Sequence, residues 1–268
     1  MIGFVVPFRS KASSNNWPLH SRLLHRTIQS ICNQPDTRFR VIVVYTDLPE
    51  NKTEHPNVIY LHFPFHFLKA NEIGDYESFA TKYYSPKDLE NAMDQGRRIL
   101  FGCKEAKRLG CNYIMSVDAD DMVSNKIVGY INKLGESGIP GWYVKKGYVC
   151  IENKSIVYRQ PDKMNLINGS TYIIHRNIIP DPDFNSDRLT DFNFFSAHGW
   201  LRARLSQNNI ELLPLPFYAI LYSLNSESWT YNSYNFENKG IRKILKRLLR
   251  GSFFTAGIFE EFGYYAVC

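Results

Sequence analysis

The chain has 268 residues, of which 44% are hydrophobic and 22% are charged, so it is long enough for one large domain or two small ones with a sizeable core. The formal net charge of +6 is a modest excess whose distribution matters more than its sum. The five cysteines include no CxxC pair, which argues against a disulfide framework or a zinc site and favours reduced thiols in a cytoplasmic protein. Neither a signal peptide nor a transmembrane helix is expected.

Strands and helices are predicted to alternate through the first half of the chain. Short β-branched, apolar runs predict buried strands, and apolar residues three and four positions apart predict helices. The stretch between the third strand and the second helix has no clear period and is expected to be an irregular loop. Such alternation predicts an α/β fold with a mostly parallel sheet and helices on both faces. The strands are expected at 2–6, 39–47, 58–63 and 111–117, the helices at 19–34, 86–110 and 124–138, and the loop at 64–86.

The second half of the chain has a different pattern. Short aromatic and β-branched runs at 141–159 predict a β-hairpin, and a turn followed by a strand is expected at 168–179. A helix at 187–209 and a strand at 210–223 follow. The sequence contains neither an internal repeat nor a low-complexity linker.

Charged residues stand at the carboxyl ends of three of the predicted strands, in one case after a proline and a phenylalanine. Pro7–Phe8–Arg9 come after the first strand, Asp47 ends the second, and Asp118 and Asp120 follow the strand at 111–117. Ligands bind to parallel α/β sheets at the carboxyl ends of the strands. We therefore expect these residues to meet at one site.

The segment "YIMSVDADDMVS" places three acids directly after an apolar run. An EF-hand loop beginning at Asp118 is excluded, because Val123 and Gly129 stand where the invariant glycine and the terminal glutamate belong. A solvated turn remains an alternative, because Asp is common in turns. Residues i and i+2 of an extended chain point the same way, so Asp118 and Asp120 are expected to share a Mg²⁺ or Mn²⁺ ion with a diphosphate. Asp121 does not share this direction and is predicted to be a polar turn residue or a helix cap.

The stretch "IMSVDADDMVS" resembles the Asp-x-Asp signature of GT-A fold glycosyltransferases, in particular of the family 2-like group. Other segments are similar to that family in the same order: "FVVPFRS" to its first strand, "TIQSICNQ" and "FRVIVVYTD" to the next helix and strand, and "DQGRRILFGCKEAKRLG" to its donor-side helix. "NGSTYIIHR" resembles its acceptor-side turn and "TDFNFF" the helix start that carries its catalytic acid. The resemblance covers roughly residues 2–225 and implies a single GT-A, Rossmann-like domain.

Carried over residue by residue, the resemblance implies a role for each matching position. Asp120 would ligate a Mn²⁺ or Mg²⁺ ion, and Asp118 would contact the ribose or a metal-bound water. Asp191 would be the general base that deprotonates the acceptor hydroxyl, with inversion at the sugar. The remaining implied positions bind the donor or the acceptor: Pro7, Phe8, Arg9 and Asp47 for the donor, and Gly169 and Ser170 for the acceptor.

The chain departs from the family pattern where further ligands are expected. Arg9 and Ser10 stand where the family often has an asparagine, and Asn225 stands where it often has a histidine that binds the metal. His198 lies seven residues after Asp191, on the same predicted helical face, and is the alternative third ligand. The competing interpretation of His198 is a histidine with an ordinary structural role.

Residues 240–250, "GIRKILKRLLR", combine an apolar stripe with five cations and no acid. This pattern fits a helix on an anionic membrane surface, and also a helix docked on the domain with its basic face in solvent. No recognition motif supports nucleic acid as a partner. The predicted organisation is a GT-A domain at 1–232, with a nucleotide-sugar half at 1–123 and an acceptor half at 124–232, followed by an amphipathic helical tail at 233–268.

The predicted activity is that of a metal-dependent glycosyltransferase. It would move a sugar from a nucleotide diphosphate donor, with UDP-sugars favoured, to a hydroxyl of a glycan or a lipid-linked acceptor. The expected location is the cytoplasm, with the tail at the inner face of the membrane if it binds lipid. One rival is a sugar-phosphate nucleotidyltransferase, although "PFRSKASSNN" lacks the glycines of its phosphate loop. The other is a non-catalytic nucleotide-sugar-binding module, which the missing third ligand would favour.

Overall fold

The computed structural model describes residues 1–79, 85–152, 156–225 and 251–267. The strands in these ranges are β1 (Ile2–Pro7), β2 (Phe39–Tyr45), β3 (Val58–His62), β4 (Tyr113–Ser116), β5 (Met122–Val123), β6 (Gly141–Tyr143), β7 (Lys146–Ile151), β8 (Ile156–Gln160), β9 (Tyr172–His175), β10 (Leu213–Pro214), β11 (Tyr218–Leu224) and β12 (Gly251–Phe253). The helices are α1 (Trp17–Cys32), α2 (Tyr76–Phe79), α3 (Pro86–Arg108), α4 (Ile127–Leu134), α5 (Leu189–Ser196), α6 (His198–Gln207) and α7 (Ala256–Phe262).

The central sheet has seven strands among the described residues, in the order β10-β6-β9-β4-β1-β2-β3. Strands β4, β1, β2 and β3 are parallel, and Ile2 lies beside both Phe39 and Tyr113 in the register. Strand β9 is antiparallel to β4 and to β6, and β10 is parallel to β6. The predicted α/β domain with a mostly parallel sheet is confirmed. Because β1 and β4 are neighbours, the residues that follow them lie at the same edge of the sheet.

Helices cover both faces of this sheet, because its strands have apolar side chains on both faces that must be buried. Phe4 and Val6 pack on one face with residues of α1 and α4, whereas Val5 packs on the other with residues of α3. Helix α5 crosses α3 closely at Gly96, where an added Cβ would lie 2.3 Å from the carbonyl oxygen of Phe192. The glycine therefore sets how near α5, and α6 after it, lie to the long helix.

The two long helices of the first half begin at recognisable caps. Asn16 precedes α1, and its side chain accepts a hydrogen bond from the backbone N–H of Leu19 at 3.1 Å. Ser85 precedes α3 and forms a capping box with Asp88, which satisfies backbone N–H groups that the helix leaves unpaired. Both helices have proline in the first turn, where its missing N–H costs nothing.

A second sheet contains the strand that follows the acidic segment. Its five strands among the described residues have the order β12-β8-β7-β11-β5. The two-residue strand β5, directly after the acids, pairs antiparallel with β11, with Met122 opposite Leu221. Strands β7 and β8 form the antiparallel hairpin that the sequence predicts. The acids thus connect a strand of the first sheet to a strand of the second.

Residues 251–267, which the sequence analysis assigned to the tail, are part of this folded unit. Strand β12 pairs antiparallel with β8, and the carbonyl oxygens of Glu260 and Glu261 accept hydrogen bonds from Asn33 Nδ2 at 2.7 Å and from Asn125 N at 3.0 Å. The predicted boundary at 232 and the basic segment 240–250 lie outside the described residues.

Other elements differ from the prediction in detail. The helix predicted at 187–209 is two helices, α5 and α6, with a break at Ala197. The described part of the predicted irregular loop contains only one short α-helix, α2.

In the described part of the chain, no helix combines the length and the apolar character that crossing a membrane requires. The described cysteines are free thiols: Cys32, Cys103, Cys111 and Cys150.

Gly96→Ala is expected to destabilise the protein, because the new methyl group would meet the carbonyl oxygen of Phe192 at 2.3 Å. Overpacking of this kind costs about 1–3 kcal/mol. Gly129→Ala in α4 is the matched control, because nothing lies within 4 Å of the added Cβ and alanine is favoured over glycine in a helix by about 1 kcal/mol. Urea unfolding measures both variants, and equal stabilities would contradict the close crossing.

Candidate functional site

The acidic segment forms a tight turn between the two sheets. Val117 extends β4, because its N–H donates to the carbonyl oxygen of Val5 at 2.9 Å. The N–H of Asp121 then donates to the carbonyl oxygen of Asp118 at 3.1 Å, which closes the turn before β5 begins at Met122. The turn places three carboxyl groups at the carboxyl end of β4.

Asp121 is fully buried and anchors this turn. Its Oδ2 accepts hydrogen bonds from Asn168 Nδ2 and from Ser170 Oγ, both at 2.6 Å, and its Oδ1 accepts one from the backbone N–H of Ser223 at 3.3 Å. Of the two alternatives predicted for Asp121, the turn residue agrees with the hydrogen bond from its N–H to Asp118, whereas the helix cap is wrong, because α4 starts only at Ile127 and its N-cap is Lys126. Its side chain instead ties three separate segments together.

Asp118 and Asp120 are held by different partners. Asp118 Oδ1 accepts from Gln95 Nε2 at 2.9 Å, and the backbone N–H of Asp118 donates to Ser170 Oγ at 2.8 Å. A Cβ on Gly169 would lie 2.9 Å from Asp118 Oδ2, so the missing side chain leaves room for this carboxylate. Asp120 Oδ2 accepts from Asn225 Nδ2 at 2.9 Å.

Burial raises the pKa values of all three acids, and repulsion between carboxylates adds to the shift at Asp118 and Asp121. Burial raises the pKa of Asp118 to about 7, with a further contribution from the charge of Asp120. Burial also raises the pKa of Asp120, although the nearby Arg9 and the hydrogen bond from Asn225 oppose it. The pKa of Asp121 lies well above its ordinary value because of burial and then the charges of the other two acids. A cation beside these groups would favour their charged forms.

Two cavities meet at Asp118. The first, which we name the Arg9 cavity, has a volume of about 570 Å³ and is lined by Pro7, Phe8, Arg9, Arg98, Asp118 and Asp120, among others. The second, the His198 cavity, has a volume of about 690 Å³ and is lined by Asp118, Leu166, Asn168, Gly169, His198 and Trp200, among others. Asn91, Gln95 and Tyr222 also line both.

Most of the residues predicted from the sequence lie at these cavities. Pro7, Phe8 and Arg9 share the first cavity with Asp118 and Asp120, as expected from the neighbouring strands. Gly169 and His198 line the second cavity. Ser170 is fully buried and connects two of the acids. Its Oγ accepts a hydrogen bond from the backbone N–H of Asp118 and donates one to the carboxylate of Asp121.

Two predicted residues lie elsewhere. Asp47 accepts a hydrogen bond from the backbone N–H of Lys11 at 2.7 Å and thereby fixes the loop after β1, without lining the Arg9 cavity. Asp191 is exposed, accepts from Ser186 Oγ at 2.6 Å, and lines a separate cavity of about 460 Å³ with Asp183. The structure therefore does not bring Asp191 together with Asp118 and Asp120.

The oxygen atoms at the turn could hold a cation only with help from a ligand. In the part of the chain that the structure describes, no group of three or more His, Cys, Asp or Glu side chains converges on one point. His198 lines the cavity that Asp120 does not line, so the predicted set of three protein ligands is not assembled. The half-buried carboxylates of Asp118 and Asp120 and the Asn225 amide remain, and such hard oxygen donors suit Mg²⁺ or Mn²⁺.

Helix α3 supplies site residues that the sequence analysis missed. Asn91, Gln95 and Arg98 all line the Arg9 cavity. Their spacing of four and three residues puts them on one face of the helix. This polar stripe is visible in the sequence and indicates a helix face that lines a polar site. The Arg98 side chain is 3% exposed, with Nε bonded to Asp94 Oδ2 at 2.7 Å and Nη2 to Thr46 Oγ1 at 2.8 Å. Its Nη1 is buried without a hydrogen-bond partner.

No protein-family model and no curated protein matches the chain. Among solved structures, residues 1–349 of S. aureus TarS in complex with UDP-GlcNAc align with a TM-score of 0.43 and 12% identity, over 88% of this chain and 61% of that one. A candidate nucleotide-diphospho-sugar transferase from Desulfovibrio desulfuricans G20 aligns with a TM-score of 0.41 and 11% identity, over 93% of both chains. The manganese complex of Rv0371C from Mycobacterium tuberculosis H37Rv aligns with a TM-score of 0.39 and 7% identity, over 89% of this chain and 98% of that one. At these values the likenesses assign no function to this chain.

The stability of the metal-free protein is expected to fall as the pH rises through the interval between 3.8 and about 7, the ordinary and the raised pKa of Asp118. In this interval the folded protein binds more protons at Asp118 than the unfolded chain does, so a rise in pH favours unfolding. Urea unfolding in EDTA across the interval measures this slope, and Asp118→Asn should make it shallower.

Glu105→Gln is the control for this slope, because the hydrogen bond from Arg108 lowers the pKa of Glu105. Its contribution has the opposite sign, since it is present above the ordinary pKa and is lost as the pH falls. A slope that Asp118→Asn leaves unchanged would contradict the raised pKa of Asp118.

Proposed function

We propose that the chain is a metal-dependent glycosyltransferase that moves a sugar from a nucleotide diphosphate donor, with UDP-sugars favoured, to a hydroxyl acceptor. One observation carries the proposal: a half-buried pair of carboxylates, Asp118 and Asp120, lies in a cavity with cationic lining that meets a largely apolar one at Asp118. Transfer requires the donor and the acceptor to be held side by side in a reactive geometry, which two adjoining cavities can provide. Asp118, which lines both, marks that boundary.

The Arg9 cavity suits the donor nucleotide. Arg9, Lys87 and Arg98 bring positive charge to its lining, and cationic N–H groups are strong hydrogen-bond donors to phosphate oxygens. Phe8 is packed against Trp17, with ring centroids 4.9 Å apart, which gives this wall an aromatic backing. We assign the diphosphate to the cationic lining and the base to the loop of Pro7 and Phe8.

The residues at the turn fit a divalent cation, because Asp118 and Asp120 are neighbouring acids with raised pKa values that line the same cavity. We propose that both carboxylates, with the side-chain oxygen of Asn225, would hold Mn²⁺ or Mg²⁺ together with the diphosphate. When bound, such an ion supplies positive charge that stabilises the departing diphosphate. Gln95 would hold Asp118 in place through its 2.9 Å hydrogen bond.

The His198 cavity suits the acceptor. Its lining is mostly apolar, and at its edge Trp200 and Leu166 are 73% and 50% exposed. Exposed aromatic rings offer flat apolar faces, and sugar rings and lipid chains both have apolar surface to place there. We propose a glycan or lipid-linked glycan as the acceptor, passing Gly169 to reach Asp118, with inversion at the transferred sugar.

The proposal extends to the surroundings of the enzyme. The sequence of 240–250 supports contact with an anionic membrane surface on the cytoplasmic side, and we infer no nucleic acid partner. A non-catalytic nucleotide-sugar-binding module is the second candidate, because among the described residues no group of three His, Cys, Asp or Glu side chains could hold a metal ion. Nucleotide binding without transfer or hydrolysis of any donor would favour this candidate.

A thermal-shift screen of nucleoside diphosphates with Mn²⁺ tests the donor site. One diphosphate, expected to be UDP, should raise the melting temperature only when Mn²⁺ is present, because binding to the folded state stabilises it. Asp120→Ala should abolish the metal-dependent shift. Asp181→Ala is the matched control, because Asp181 is a surface acid paired with Lys104 at 3.9 Å and lines neither cavity. Survival of the shift in Asp120→Ala would refute the metal assignment.

Arg98→Met should weaken nucleotide binding by about 10-fold to 100-fold, because a hydrogen bond to a charged group contributes about 1.5–3 kcal/mol. Calorimetric titration of the folded variant with UDP and Mn²⁺ measures the loss. Arg108→Met on the same helix is the control, because Arg108 pairs at the surface with Glu105. Equal affinities of the two variants would show that Arg98 does not bind the nucleotide.

A further inference from the structure

We propose that His198 is the general base that removes the proton from the acceptor hydroxyl. This inference rests on the proposed glycosyl transfer and assigns to a histidine the step that the sequence resemblance gives to Asp191. Three observations support it: the position of His198, its protonation state, and the engagement of the other acids nearby.

His198 has the position that the reaction requires. It is the first residue of α6 and lines the same cavity as Asp118, Gly169 and Trp200. His198 does not line the Arg9 cavity, so an acceptor bound in the His198 cavity would share that cavity with the imidazole. A proton acceptor in this reaction must be on the acceptor side of the anomeric carbon, and His198 is on that side.

The ring of His198 has a nitrogen that can act as a base. The backbone of Ser196, the residue that ends α5, favours the protonated form of this ring. A neutral imidazole keeps one nitrogen that accepts hydrogen bonds. That nitrogen is the atom that can take the hydroxyl proton.

Burial keeps this imidazole uncharged. It lowers the pKa of His198, and the raising effect of the Ser196 backbone opposes the shift without cancelling it. The other titratable groups that line the cavity are Asp88 on α3, Asp118 on the acidic turn and Tyr222 on β11. Among the described residues, no lysine or arginine lines this cavity. His198 is therefore neutral at neutral pH and can accept a proton.

The acids that could compete for this role are engaged elsewhere. Asp191 faces another cavity. Asp88 caps α3, with Oδ2 accepting from Ser85 N at 2.8 Å and from Ser85 Oγ at 2.7 Å. Asp118 accepts from Gln95 at 2.9 Å and belongs to the proposed cation site. Only His198 combines an unengaged basic atom with a place on the acceptor side of the described lining.

The proposed step balances without any further reactant. The lone pair of the His198 nitrogen takes the hydroxyl proton as the acceptor oxygen forms its bond to the anomeric carbon. The bond between that carbon and the diphosphate oxygen breaks, and its electron pair leaves with the nucleoside diphosphate. The imidazolium then returns the proton to solvent, which restores the neutral base.

The test compares His198→Gln with the wild-type protein, using UDP-sugars with Mn²⁺ and a panel of p-nitrophenyl glycosides as acceptor probes. His198→Gln should lower kcat by about 10²-fold to 10⁴-fold and leave the thermal shift with UDP and Mn²⁺ unchanged. The wild-type pH profile of kcat should fall on the acid side as His198 is protonated, and the variant should lose this limb. His66→Gln, a change at a surface histidine that is 71% exposed, should keep wild-type activity.

Several results would overturn the assignment. Full activity of His198→Gln would do so, as would retention of the acid limb, or loss of activity in Asp191→Asn instead. An NMR titration of the His198 imidazole gives a readout that needs no acceptor, and a charged ring at neutral pH would also overturn it. Failure of the wild-type protein to bind or turn over any nucleotide sugar would overturn the proposed function itself, and the role of His198 with it.

Discussion

The crowding of three carboxyl groups in one tight turn is the constraint on which the rest of the site depends. The charge of Asp120 raises the pKa values of Asp118 and Asp121, and the charge of Asp118 also raises that of Asp121. The protein satisfies Asp121 with its own donors, whereas Asp118 and Asp120 face the cavities. The turn therefore separates one acid that holds the structure from two that can meet a ligand.

The anchoring of Asp121 extends far into the molecule. Its partner Ser223 also donates a short hydrogen bond to Glu152, and Glu152 pairs with the buried Arg26 of α1 at 2.5 Å. Arg26 in turn donates to the carbonyl oxygen of Tyr265 at 3.2 Å. A chain of polar contacts thus runs from the C-terminal segment to the acidic turn. Removal of one member would leave buried charge uncompensated, which links the order of the site to the packing of the whole domain.

The division into two cavities follows from where α3 lies. This helix passes beside the acidic turn, and Asn91 and Gln95 line both cavities. The close crossing at Gly96 brings α5, and then α6 with His198, to the apolar side of the same helix. Cationic residues remain on the other side, where Arg98 is held by Asp94. One helix thereby separates a place for phosphates from a place for a less polar substrate.

The sequence by itself determined the alternating elements, the parallel sheet and the meeting of Pro7–Phe8–Arg9 with Asp118 and Asp120. The elements follow from the hydrophobic period, which is a local property of the chain, and the meeting point follows from the general rule that parallel strands end at one edge of their sheet. Only the tertiary structure decided which helix and turn side chains reach that edge. Gln95, Asn168 and Asn225 contact the acids, whereas Asp47 and Asp191 do not. Helix crossing angles and loop paths set the direction of each side chain, and the residue type alone does not reveal that direction.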